Sequence, residues 1–240
     1  MSLSGRMQFL LTVLSAVLLC GCQTATSFNG QGVKDFQQGN YQNAAEDFQQ
    51  AIAANPEDPD GYYNLAATLH DWGRRTGDDK MLEQSENLYH RCLDLDSDHV
   101  DCYRALSVLL VDTDRKESAL TLLERWGQRS PDSSEPFVEL ARLQQELGND
   151  DEAVQYLARA LDVDSTNPRA WAALGQLRES EGRWAQALTN YQHAYALNRG
   201  QPGMSDRIAA LQQRIATAPA SVSGDNAPRM TQKSSNWQSR

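Results

Sequence analysis

The chain carries four histidines, His70, His90, His99 and His193, scattered along its length. His90 and Cys92 lie two positions apart, and on one helix such a pair points in different directions, so they indicate no metal-ligand cluster. No glycine-rich loop opens a helix after a strand, and no local signature suggests a Ser–His–Asp set. Carboxylates are abundant, but a charged residue on a helix surface is usually a solvated face. No metal, cofactor or small-molecule substrate is expected from this pattern, and neither is catalysis. The remaining reactive groups are thiols. Cys92 and Cys102 are expected near the end of one helix and the start of the next, at similar height. In an oxidising compartment they can bridge, and closing so short a loop contributes roughly 2–3 kcal/mol. The other reading is that Cys92 fills a small-residue slot and Cys102 is a passive helix residue.

Composition narrows the partners. Of 240 residues, 40% are apolar and 22% charged, enough for a packed core. The formal net charge of −10 argues against nucleic acid as the main partner, because binding phosphates needs a basic face.

Arg6 followed by the apolar run Phe9–Leu19 reads as a signal peptide. As a helix, that run reaches only about 16 Å, against about 30 Å for a bilayer core. It is followed by Leu19-Cys20-Gly21-Cys22, which resembles the bacterial lipobox. The resemblance implies a leader over 1–21, a diacylglycerol on Cys22 with an acylated (palmitate-type) amine, and a lipidated tether over 22–24. Gln23, where an Asp would retain the protein at the inner membrane, suggests by the same analogy the outer membrane, facing the periplasm. The plainer reading is an ordinary signal peptide with a free N-terminal Cys.

The elements that must position any binding residue are read from a repeat. Trp171-Ala-Ala-Leu174-Gly175 aligns with Phe137-Val-Glu-Leu140-Ala141 and with Tyr103-Arg-Ala-Leu106-Ser107, at steps of 34 residues. Tyr62, Leu65 and Ala66 begin a further unit, and a first unit starts near Ala25. In the second half of each unit, small residues fall at Ala44, Ser85, Ala119, Ala153 and Ala187. Four positions on come Phe48, Tyr89, Leu123, Leu157 and Tyr191, and three further on Ala51, Cys92, Trp126, Ala160 and Ala194. That spacing is one face of a helix. Gly39, Gly148 and Gly182 stand between the halves, where a turn needs a permissive residue.

The pattern resembles the tetratricopeptide repeat over residues 25–201. The resemblance implies an all-α, right-handed α-solenoid of about five helix pairs, near 25–58, 59–99, 100–133, 134–167 and 168–201. Met204, Ile208, Leu211 and Ile215 continue as a capping helix over 202–216, begun by Ser205 or Asp206, and 217–240 reads as a disordered tail that includes Trp237. Three departures carry expectations. Gln31, with Gly30 and Gly32, predicts a frayed first helix. Seven extra residues, Asp71–Gly77, predict a bulge between the helices of unit two. Trp126 in a small-residue slot predicts shifted packing.

In the family, first helices line a concave groove in which peptides lie. Carried over slot by slot, this implies Tyr63, Asn64, Ala67 and His70; Arg104, Val108 and Val111; Val138, Glu139, Arg142 and Gln145; and Arg169, Ala172, Gln176 and Glu179. Asn64 fits the family's carboxylate clamp, but Asp60 and Asp101 stand where Lys is needed, so that clamp is absent. With Asp112, Glu135 and Glu146 the groove holds more acid than base and should prefer a neutral or basic segment. Trp72 with Arg74 and Arg75 forms a second candidate surface, unless Trp72 only covers the edge of its own repeat. The expectation is a membrane-tethered scaffold or assembly factor of the bacterial cell envelope, binding other proteins. The alternative is a self-associating structural protein.

Overall fold

Segments with apolar residues at helical spacing, separated by turn-forming residues, become helices in the computed structural model, which describes residues 25–217. Among these residues there are eleven helices and no strand. They are α1 over 25–37, α2 Tyr41–Ala54, α3 Pro59–Thr76, α4 Asp79–Leu95, α5 Val100–Asp112 and α6 Lys116–Arg129. Then follow α7 Glu135–Glu146, α8 Asp150–Val163, α9 Pro168–Ser180, α10 Trp184–Leu197 and α11 Met204–Thr217. The leader over 1–21, Cys22, the tether and residues 218–240 lie outside the described residues. Among the described residues, no helix is long and apolar enough to cross a membrane.

Local chemistry sets the helix boundaries. Pro59 and Pro168 occupy the first turn of α3 and α9, where a missing N–H costs nothing. Just ahead of them, the side chains of Asp58 and Asn167 accept hydrogen bonds from the exposed backbone amides of the first turn. Between the helices of units one, four and five, Gly39, Gly148 and Gly182 take φ of 77°, 83° and 75°. Unit three places Asp114 in the same role at φ 58°.

The apolar stripes meet as the repeat demands. Ala44, Ser85, Ala119, Ala153 and Ala187 are all fully buried at 0% exposure. At these slots the facing helix comes close. The Ser85 hydroxyl, buried with no solvent, donates to the Ala66 carbonyl oxygen at 2.7 Å. Along the chain each helix packs on the next, from α2 through α11. The first helices also touch across the stack, α3 with α5, α5 with α7 and α7 with α9, whereas α4, α6, α8 and α10 do not meet one another. A row of elements in contact on one side and separated on the other is curved. The chain is therefore an α-solenoid whose first helices form the inner face.

Several expectations are corrected. The first helix is not frayed over the described residues. Gly32, one of the residues that suggested weakness, is the small slot of unit one, lying where an added Cβ would sit 2.7 Å from the Phe48 ring. The seven extra residues of unit two do not bulge. They lengthen α3 to 18 residues and α4 to 17, against 12–14 in the later pairs. Gly73 lies inside α3 because Met81 of α4 crosses it too closely for a side chain. Ser205 and Asp206 do not precede α11. They lie within its first turn, which begins after Gly203 at φ 74°. Ile215 is not part of the covered stripe but 36% exposed, while Leu211 is buried. Trp126 is accommodated: it lies flat on Tyr103 at 4.2 Å, its indole N–H donating to Asp98 at 3.0 Å.

Two substitutions of opposite sign test this packing. Asp114→Gly relieves a left-handed backbone and is expected to stabilise by about 0.5–1 kcal/mol. Ala153→Leu overfills a closed slot and is expected to cost about 1–3 kcal/mol. Urea unfolding midpoints check both; a neutral Ala153→Leu would mean that the slot is not closed.

Candidate functional site

The inner face carries two depressions separated by a knot of charge. The first, a cleft of about 280 Å³ between α3 and α5, has Tyr63, Ala67, Ala105 and Val108 as its apolar floor. His70, Arg74 and three aspartates, Asp71, Asp101 and Asp112, surround it. The second, about 290 Å³ between α7 and α9, is floored by Ala141, Ala172 and Ala173 together with Val138, Leu157 and Leu177, with Gln145, Gln176 and Gln201 at its walls.

The knot is centred on Glu139, whose side chain is 0% exposed. Arg104 of α5 donates to its Oε1 from Nε at 3.0 Å and Nη2 at 2.7 Å, and Arg142 donates to its Oε2 from Nε at 3.0 Å. Arg169 of α9 closes the set. Each guanidinium has a further partner: Asp101 for Arg104, Glu146 and the Ser107 hydroxyl for Arg142, and Glu135 for Arg169. Burial pushes the Glu139 carboxyl up, but the hydrogen bonds and charges of Arg104 and Arg169 outweigh it and hold the group below the usual range.

The structure sorts the sequence-derived residues accordingly. Tyr63 and Val108 reach the first cleft, and Gln176 the second. Asn64 is half-buried and lines neither. His70 lines the first cleft but is buried, with Nε2 3.1 Å from Asp112; burial pushes its pKa down, which favours the neutral ring, while Asp112 pulls the other way. Glu139 is not a groove-facing contact, because it is enclosed by three arginines. Arg104 and Arg142 border the clefts, but their charge is committed to Glu139. Val111 is not floor either; it packs against the core. Arg169 as a structural tie was missed. Its signal was present: Glu139 stands 35 residues after Arg104 and 30 before Arg169, adjacent slots in successive units.

The second surface is only partly open: Trp72 is half-buried and lines a shallow depression with Tyr41. The lengthened α3 carries Trp72 back over α2, where it packs against the cluster containing Phe48 and Leu65 and lies parallel to Tyr41 at 6.4 Å. Asp71 accepts from Tyr41 Oη at 2.6 Å, Arg75 at 2.9 Å and Arg74 at 3.4 Å. Arg74 and Arg75 remain exposed around this junction. Cys92 and Cys102 do come together, but as buried free thiols rather than a bridge. Cys102 Sγ lies 3.2 Å from the Tyr89 carbonyl oxygen; the neighbouring Cys92 thiol and burial push its pKa far up. Among the described residues no group of His, Cys, Asp and Glu could hold a metal ion.

Comparison with known proteins agrees with this geometry. Profiles described as TPR repeat and tetratricopeptide repeat match residues 32–73, 122–177 and 170–204. The human protein O-mannosyl-transferase TMTC1 is 29% identical over 75% of the chain but only 20% of its own length. Mouse superkiller complex protein 3 is 22% identical over 76% of the chain and 14% of its own length. The chain thus spans a fifth or less of these curated relatives. A thermophilic TPR protein of Thermus thermophilus shares the fold with a TM-score of 0.57 at 23% identity, over 79% of this chain and 99% of that one.

The knot predicts an acid-sensitive stack. The folded pKa of Glu139 lies below its unfolded value, so its contribution is present above the ordinary Glu range and lost as pH falls through the depressed value. Glu139→Gln is expected to cost about 2–3 kcal/mol at neutral pH. It is also expected to lose less stability on acidification than the parent. Urea titrations at neutral and acid pH measure this, and parallel pH profiles for the two proteins would exclude a tie through the ionised carboxylate.

Proposed function

Because the chain belongs to the tetratricopeptide repeat family, we propose that it is a docking scaffold of the bacterial cell envelope, held at the membrane by lipid on Cys22 and binding segments of partner proteins along its inner face. The family supports protein–protein interaction as the general role. One observation carries the finer reading: the touching row of first helices leaves two clefts with apolar floors, at Tyr63 and Val108 and at Ala141 and Ala172. Apolar floors supply affinity on such faces, and surrounding charge sets orientation. The name of the human relative describes a transferase, but the match covers only 20% of that protein. Transfer chemistry is accordingly not part of the proposal.

The membrane address rests on the lipobox-like Leu19-Cys20-Gly21-Cys22 and the apolar run before it. Several acyl chains anchor durably, since each buried CH₂ contributes about 0.8 kcal/mol. Self-association through Trp72 is disfavoured, because that ring is packed against its own first repeat.

The test must spare the knot. Charge reversal at Arg104 or Arg142 would strip Glu139 of a partner and report on folding. Val108→Glu instead places a carboxylate on a cleft floor and removes no member of the knot, and an unchanged unfolding midpoint confirms that the knot holds. In crosslinking pull-downs from membranes it is expected to weaken capture of specific partners about tenfold or more. An unchanged bound set would refute docking in this cleft. Separately, Cys22→Ala is expected to release the protein from the membrane fraction; retention there would remove lipid as the anchor.

A further inference from the structure

The charged groups of the α7–α9 cleft are already paired, and its amides are not. Arg142 is paired with Glu139 and Glu146, and Arg169 with Glu135 and Glu139. The side-chain amides of Gln145, Gln176 and Gln201 line the same cleft and engage no protein group among the described residues; hydrogen bonding of these residues to the protein is confined to the backbone, in helices and turns. Gln176 is exposed and the other two are half-buried, so all three are open to a ligand.

A primary amide presents donor and acceptor side by side, which is the pattern an extended polypeptide backbone presents in return. The floor between these amides is aliphatic: Ala172 and Ala173 are its more exposed part, and Val138, Ala141, Leu157 and Leu177 are buried beneath. No aromatic ring lines the cleft, so it lacks the stacking platform that a nucleobase needs. We propose that the α7–α9 cleft binds a short, uncharged, extended stretch of a partner polypeptide, gripping its backbone through Gln145, Gln176 and Gln201 and seating apolar side chains on the aliphatic floor between them. This deepens the docking reading above and rests on it. It also separates the two clefts: three aspartates line the α3–α5 cleft, and none lines this one.

The probes are three capped synthetic peptides of equal length: one of Ala, Ser and Val, and two with alternate residues replaced by Lys or by Asp. Each is titrated into the isotopically labelled protein while the side-chain amide resonances of the three glutamines are followed. The neutral peptide is expected to shift those resonances, with the same affinity at low and high salt, and to bind about fivefold more weakly to Gln176→Ala and to Gln145→Ala. Both substitutions lie on helix surfaces, and unchanged unfolding midpoints confirm that the fold is intact. Preference for a charged peptide, affinity that falls with salt, or indifference to the glutamine variants would overturn the proposal. So would resonances that do not move. If they do not move while Val108→Glu still abolishes partner capture, docking on the inner face stands and only this assignment falls; if capture also survives, both fall.

Discussion

How closely two helix backbones can approach governs everything built on this chain. Where α1 meets α2 and where α9 meets α10, a ring lies directly on a glycine. A Cβ on Gly32 would sit 2.7 Å from Phe48, and one on Gly175 would sit 2.8 Å from Tyr191. The aromatic ring occupies the volume that the missing side chain leaves free, so the pair is dense without a polar atom in its centre. Each pair still has an apolar edge that only the next pair can cover, and the stack ends when α11 lays Leu211 against α10. Because these contacts lie between and behind the first helices, the solvent side of those helices is free to carry other chemistry.

That other chemistry is dominated by the knot around Glu139. The three helices it joins, α5, α7 and α9, are three of the four that touch along the inner face, so the ion pairs tie three repeats across the line where their angles are set. A buried ion-pair network is no guarantee of stability, since desolvation offsets much of the attraction. What it does provide is a definite geometry, with each guanidinium oriented by two or more acceptors. It also removes charge from the surface. A count of the groove's residues suggests a mixed, acid-rich face, whereas on the folded face Arg104, Arg142 and Arg169 are committed to Glu139 and Arg74 alone of the cleft-lining arginines stays outside the knot.

The architecture was legible in the sequence because its signals are local and repeated. Helical spacing and small slots recur in every unit, and the structure places each where the pattern puts it. The failures are of another kind. Asp71–Gly77 reads as a bulge because seven extra residues fall between the two halves of the unit, yet Gly73 is helical because Met81, eight residues on, leaves no room for a Cβ. Glu139 reads as groove-facing because a repeat slot specifies direction but not what lies opposite. Two of its three partners, Arg104 and Arg169, belong to the units on either side. Trp72 reads as exposed because its cover, Tyr41, belongs to the preceding unit. For Glu139 and Trp72 the deciding contact is between units, where a repeat pattern carries no information about a particular pair.

A cleft that offers amides and an aliphatic floor, with its arginines paired and no aromatic ring, grips a backbone only modestly. Each neutral hydrogen bond contributes about 1 kcal/mol net, and ordering an extended segment opposes it. Such a site becomes useful when its occupant is already close. If acyl chains on Cys22 confine the solenoid to a membrane and its partner resides there too, encounter is governed by a local concentration that can reach the millimolar range rather than by the bulk value. Weak, charge-independent contact is then sufficient for occupancy and permits release, and the acidic α3–α5 cleft can add selectivity without having to supply all the affinity. On this reading the lipid and the amides are complementary parts of one binding event, each inadequate by itself.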